Sequence, residues 1–284
     1  MEAEAGRRSR LNAWVHACFD GSMARDRPVA WSRQNLVAYG AVHDGAACVV
    51  VVPSERVGCA VDDPVATHLH PPTRGPLFAA DRQAPCDLDA PALVIGPGTG
   101  LGVAALMPLG SGSWRALPGE GGHVDLPVAD AHEVALWQML FAQLGHVRAE
   151  DVLSGGGLLL LYRALCLLHD QAPRLAAPAE VTAAALAGDT LAAATLEQFC
   201  VWLGRVAGNN VLTLGARAGV YIVGGVVPRF ADFFAASGFA RGFASKGCMS
   251  AYLADVPVWL VTAEYPGLEG AGVALEQALA CVPG

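Results

Sequence analysis

The chain has 284 residues, 54% of them apolar, with 33 glycines and 18 prolines. This is enough for a large core and predicts two lobes of a turn-rich α/β protein. A formal net charge of −8 excludes a global positive field, so nucleic acid and anionic membrane are not expected partners. An anionic ligand has to be held by local backbone donors and helix ends.

The eight cysteines (Cys18, Cys48, Cys59, Cys86, Cys166, Cys200, Cys248 and Cys281) are scattered, without CxxC spacing or a Cys/His cluster. That argues against a zinc site or a disulfide framework and predicts reduced thiols. Met1 to Arg10 is charged, and no stretch reaches the roughly 18 apolar residues of a membrane span. A cytoplasmic location is expected.

In chain order, residues 1–91 are dense in turn breakers (Pro28, Pro53, Pro64, Pro71, Pro72, Pro76, Pro85), and only Ala46 to Val52 makes a convincing apolar strand. The segment reads as a remnant or diverged small lobe with little stability of its own. Residues 92–284 form the expected large lobe. Ala92 to Ile95 is a short buried strand, and Val103 to Leu109 with Ser113 to Leu117 form a hairpin around Gly110-Ser111-Gly112. A helix is expected over 131–144, with Val134, Trp137, Phe141 and Leu144 as its apolar face.

Further helices are expected at 154–168, with Ser154 as N-cap, at 179–186, and at 191–214. The last carries a stripe of Leu196, Phe199, Leu203, Ala207, Val211 and Leu214. A parallel-type strand over 220–223 ends in Gly224-Gly225, and Pro228 suits the first turn of the helix that follows. A strand over 256–262 and a closing helix over 270–280 complete the pattern. Such alternation implies a mostly parallel sheet with helices packed on it.

Two stretches carry chemistry. In Ile95-Gly96-Pro97-Gly98-Thr99-Gly100-Leu101-Gly102 a glycine turn follows an apolar strand. Its backbone N–H groups and the Thr99 hydroxyl suit a polyanion, although a glycine hairpin turn made for geometry alone reads the same way. In Leu117-Pro118-Gly119-Glu120-Gly121-Gly122-His123 a carboxylate and an imidazole stand three residues apart on an irregular turn, as gripping vicinal hydroxyls requires. The competing readings are a capped turn for Glu120 and a core histidine for His123. No third ligand lies nearby in sequence, so no metal site is expected. Glu150 alone reads as a helix-start acid favoured by the dipole, and Gly224-Gly225 lets a nucleotide base lie close to backbone. A kinase for a small sugar is the combined expectation.

Over residues 92–280, through GPGTGLGVA, LPGEGGHVDL, GHVRAEDVLSGGGL, GVYIVGGVVPRF and PGLEGAG, the chain resembles the bacterial ATP-dependent glucokinases of the hexokinase–actin–Hsp70 superfamily. The resemblance implies an actin-like ATPase (ribonuclease H-like) two-lobe fold, with the large C-terminal lobe intact and the N-terminal lobe truncated or degenerate. It implies phosphorylation of D-glucose to glucose 6-phosphate with ATP and Mg²⁺, and a homodimer. Gly98, Thr99 and Gly100 match a second phosphate loop. Glu120, His123 and Glu150 match the residues that hold the sugar hydroxyls, Gly224 and Gly225 the adenosine motif, and Gly267 to Gly272 a hinge-side turn.

Two departures stand out. The family's opening Gly-Asp-x-Gly-Gly-Thr-x-x-Arg loop does not occur in the sequence, and the echo at Asp20-Gly21-Ser22-Met23-Ala24-Arg25 is read as chance. The catalytic base of the family is the Asp of an Asn-Asp-Phe turn, for which Asp44 in His43-Asp44-Gly45 is the nearest candidate. An inactive sugar-binding or dimerising remnant is therefore the alternative, and a shifted reading frame over residues 1–90 is a third reading.

Overall fold

The computed structural model describes residues 89–110 and 113–261, together with backbone strands at 30–31, 39–43 and 46–50. Asp44, the turn at Gly267 to Gly272 and the expected closing helix lie outside the described residues. Strands β1 (Ala30–Trp31), β2 (Tyr39–His43) and β3 (Ala46–Val50) precede β4 (Ala92–Pro97), β5 (Leu101–Gly110) and β6 (Ser113–Gly119). Helices α1 (Ala131–Leu144), α2 (Ala149–Val152), α3 (Gly155–Leu168), α4 (Pro178–Leu186) and α5 (Thr190–Leu214) follow. The described chain then runs through β7 (Gly219–Ile222), a 3-10 turn at Val227–Phe230, α6 (Ala231–Ala236), α7 (Phe239–Ala244), α8 (Ser250–Ala254) and β8 (Val258–Leu260).

Six strands form one sheet in the order β1-β6-β5-β4-β7-β8, and β2 pairs with β3 separately. The sheet is mixed, which corrects the expectation of mostly parallel pairing. β4 runs parallel to β7, and β7 to β8, but β4/β5, β5/β6 and β1/β6 are antiparallel. Connection length decides this. Only residues 98–100 separate β4 from β5, too few for anything but a reversal, whereas β4 reaches β7 through five helices, room enough for a parallel crossover. β4 is buried along its whole length between β5 and β7, as an uninterrupted apolar run in a covered sheet should be.

Local signals place the helices. Asp130 caps α1 by accepting from the Glu133 N–H, Ser154 caps α3 by accepting from Gly157, and Asp189 caps α5 by accepting from Leu191 and Ala192. Gly145 and Gly215 close α1 and α5 in the left-handed conformation, which costs glycine no Cβ clash. Of the expected α5 stripe, Leu196, Phe199, Leu203, Ala207 and Val211 are fully buried and Leu214, at the helix end, is half-buried.

The expected face of α1 does not. Leu136 and Leu140 point inward while Val134, Phe141 and Leu144 are exposed, and the half-buried Trp137 stacks on Phe141 with ring centroids 4.9 Å apart. The reason is Glu133, buried to 1% exposure. Its carboxylate accepts from Arg205 Nε at 2.9 Å, Gln198 Nε2 at 3.2 Å and the Ala129 N–H at 2.8 Å. A charge so fully partnered can be buried, and it turns the helix about its axis. Helix α5 meets α7 through bare backbone, because a Cβ at Gly204 would overlap the Phe239 carbonyl.

Candidate functional site

The site forms where the 122–126 loop runs beside residues 147–150. Leu126 N–H donates to the Val147 carbonyl (3.0 Å), Ala149 N–H to Val124 (2.8 Å) and Glu150 N–H to Gly122 (2.8 Å). Asp125 and Arg148 form an antiparallel bridge, and Glu120 bridges Val103 of β5. This ladder brings together residues 21 to 28 positions apart in sequence. His123 Nε2 lies 3.7 Å from Glu150 Oε1 and 3.9 Å from Glu120 Oε2. The Glu120 and His123 side chains are 55% and 41% exposed and that of Glu150 24%, so a polar trio opens to solvent on a buried floor.

Glu150 stands in the first turn of α2, as its sequence position suggests. Its Oε2 also accepts the Leu101 N–H at 2.7 Å. The glycine turn after β4 and the carboxylate are thus joined directly, and Gly100 permits the approach because any Cβ there would strike the Glu150 carboxylate. Part of the turn's donor capacity is therefore used internally. Leu101 N–H serves Glu150, and Gly98 N–H donates to the Gly100 carbonyl at 2.8 Å. Thr99 is exposed at the tip. The amino end of α3 abuts the same turn, with Gly155 N–H donating to the Gly98 carbonyl at 2.8 Å, so the positive end of that helix dipole lies beside it.

Gly224 and Gly225 follow β7 and are exposed at the same end of the sheet as the turn after β4. Gly224 has φ +89°, and a Cβ there would fall on the Pro97 carbonyl, while around Gly225 there is open space. Both expected nucleotide segments therefore lie side by side at the carboxyl ends of two parallel strands, where ligands of open α/β sheets bind. A glycine-lined edge open to solvent fits a nucleotide. For a metal ion the described residues offer no trio of His, Cys, Asp or Glu able to hold it.

Arg148 and Asp151 carry no role in the sequence reading, yet both belong to this cluster. Arg148 Nη1 lies 3.0 Å from His123 Nδ1, and its Nε and Nη2 donate to the two Asp151 oxygens at 3.2 and 2.5 Å. Asp151 Oδ2 also accepts the Arg148 backbone N–H at 2.8 Å. Burial works to push the Asp151 carboxyl up, but hydrogen bonds and charge from Arg148 outweigh it and hold it below the ordinary carboxylate range. The same hydrogen bonding to Asp151, opposed by burial, raises the Arg148 guanidinium. The signal that could have found them is the Arg-x-x-Asp spacing across a helix start.

Helices packed over a mixed sheet, with glycine turns at the strand ends beside a carboxylate–imidazole cluster, define an α/β protein of the actin-like ATPase class. A family model described as Glucokinase matches residues 79–278. The chain is 61% identical over 199 residues to a glucokinase of Pseudomonas aeruginosa PAO1, covering 70% of this chain and 60% of that protein. It is 54% identical over 193 residues to one of Chromobacterium violaceum, covering 68% and 55%. Among solved structures, a glucokinase from an Antarctic psychrotroph aligns with TM-score 0.65 and 35% identity, over 71% of this chain and 62% of that one. The fold also matches a Balamuthia mandrillaris glucokinase in complex with glucose, with TM-score 0.59 and 21% identity over 72% and 58% of the two chains. The chain belongs to the glucokinase family. It spans about 60% of the length of the curated Pseudomonas aeruginosa relatives it matches.

Proposed function

We propose that this chain binds D-glucose at Glu120, His123 and Glu150 and takes part in its ATP-dependent phosphorylation to glucose 6-phosphate. The observation that carries this reading is the convergence of two carboxylates and an imidazole, tied through Leu101 N–H to a glycine turn at the nucleotide edge. Carboxylates accept from sugar hydroxyls and a neutral imidazole both donates and accepts. The three groups thus cover both halves of a vicinal diol.

ATP supplies the γ-phosphoryl group to the sugar 6-hydroxyl. Gly98, Thr99 and Gly100 would face its phosphates, and Gly224 and Gly225 its adenosine. The chain's own tasks are to orient the hydroxyl and to accept its proton as the new P–O bond forms. That acceptor is assigned to Asp44, and general-base assistance of this kind is worth roughly 10²- to 10⁴-fold. Mg²⁺ accompanies the nucleotide in this reading, and the described residues provide no His, Cys, Asp or Glu cluster that would hold it. The large lobe is assigned to 92–284 and the remnant small lobe to 1–91.

A cytoplasmic homodimer belongs to the same proposal. Among the described residues no helix is long and apolar enough to cross a membrane. The exposed Val134, Phe141 and Leu144 of α1 offer an apolar face, and sedimentation of the purified chain tests the assembly.

A second reading, sugar binding without turnover, is favoured by one observation: the sequence contains no Gly-Asp-x-Gly-Gly-Thr loop. A coupled ADP-release assay with and without glucose separates the two. Glucose-dependent turnover that drops at least tenfold in Glu120→Gln supports the kinase. Calorimetric glucose binding with no ADP release in the parent chain removes the kinase reading and leaves the binding protein.

A further inference from the structure

His123 is gripped from behind. Its Nδ1 meets the Arg148 guanidinium at 3.0 Å, while its Nε2 faces the carboxylates of Glu120 and Glu150. A guanidinium has five N–H donors and no acceptor, and it does not lose its proton in proteins. The Arg148 Nη1 can therefore only donate, which makes Nδ1 the acceptor. In the neutral ring the proton must then sit on Nε2, pointing into the cluster.

The guanidinium is itself immobilised. Its Nε and Nη2 engage both Asp151 oxygens as a fork, and Asp151 is tied to the Arg148 backbone at the start of α2. Bidentate pairs of this kind fix a plane as well as a distance. One end of the fork thus anchors to α2 and the remaining nitrogen reaches the imidazole.

We propose that Arg148, locked by Asp151, is a positioning residue that holds His123 as the Nε2–H tautomer and so makes it a hydrogen-bond donor toward the Glu120–Glu150 cluster. The consequence for sugar binding rests on the reading above. With the carboxylates acting only as acceptors, His123 becomes the group of the trio able to donate to a hydroxyl oxygen. The opposite tautomer would present a lone pair there, and the trio could then only accept.

The test begins without any sugar. In the full chain labelled with ¹⁵N-histidine, the His123 ring signals are assigned by their loss in His123→Gln and read at about pH 8. Nδ1 is expected in the unprotonated range and Nε2 in the protonated range. Arg148→Ala should turn this into a mixture of tautomers, and Arg148→Lys should restore it by returning a donor. A protonated Nδ1 in the parent chain, or an unchanged pattern in Arg148→Ala, overturns the proposal. Should Arg148→Ala fail to fold, Asp151→Asn loosens the fork while keeping the arginine and is expected to shift the pattern the same way.

The second arm measures glucose affinity by calorimetry. Losing a hydrogen bond between a neutral imidazole and a hydroxyl weakens binding about two- to tenfold, so Arg148→Ala should raise Kd within that range in the parent chain and leave it unchanged in a His123→Ala background. Equal losses in both backgrounds also overturn the proposal, since Arg148 would then act other than through His123. A parent chain that binds no glucose removes the functional reading above, while the ring signals still decide the tautomer.

Discussion

A methyl group on Gly100 has nowhere to go except into the Glu150 carboxylate, which the Leu101 N–H already holds from the same turn. Gly100→Ala is therefore expected to displace Glu150 and raise the glucose Kd roughly tenfold or more, the size of a hydrogen bond to a charged group. Calorimetry checks it, and an unchanged Kd would mean that Glu150 takes no part in holding the sugar. A different residue sets a pH effect. Burial, ahead of the neighbouring Arg205 charge and against the pull of Glu133, brings the Lys246 ammonium down to about 8, although its Nζ donates to the Arg205 carbonyl at 3.1 Å. Between about 8 and its ordinary 10.5 the folded chain then binds fewer protons than the unfolded one, so this group's contribution to stability rises with pH across that window. Urea midpoints of the parent and Lys246→Met, taken from pH 7 to pH 10, should show the parent gaining on the variant; parallel curves would show Lys246 to be freely solvated.

At the scale of elements, the tightest joint lies between α5 and α7. Cβ atoms at Gly204 and Gly208 would overlap the Phe239 and Phe243 carbonyls. Gly204→Ala is expected to destabilise by about 1–3 kcal/mol through overpacking, in spite of the roughly 1 kcal/mol that alanine gains in helix propensity. Gly156→Ala in α3, where a Cβ meets open space, should instead stabilise by about 0.5 kcal/mol. Denaturant midpoints of the two variants should move in opposite directions. The helices themselves were legible because their signals are local: apolar periodicity marked 131–144 and 191–214, and the Ser154 cap bonds within three residues. The rotation of α1 was not, because its cause is a glutamate whose partners on α5 lie 65 and 72 residues away. Apolar periodicity treats every Glu as outward-facing, so it chose Val134, Phe141 and Leu144 in place of Leu136 and Leu140.

For the molecule as a whole, ligand binding and catalysis make separate demands. A ligand at 100 times its Kd that binds only the folded chain adds about 2.7 kcal/mol of stability. Glucose at that excess should therefore raise the unfolding midpoint whether or not ADP is released, and Glu150→Gln should blunt the shift. A midpoint indifferent to glucose would remove the sugar-binding reading altogether. The candidate site was legible in its residue types and turn glycines, since hydroxyl recognition and close backbone approach both leave local marks. The link from Leu101 to Glu150 and the fork behind His123 left no such mark, because neither residue type nor spacing reports a contact made across 49 or 25 positions.

The sequence by itself determined the α/β class, the order and approximate ends of the longer elements from β4 to β7, and which side chains can do chemistry, because capping, periodicity and donor capacity are properties of short segments. The tertiary structure alone decided the mixed pairing of the sheet, the face that α1 turns inward and the direction in which His123 points. Each of these depends on which distant groups come within hydrogen-bonding reach, and only the folded chain sets that distance.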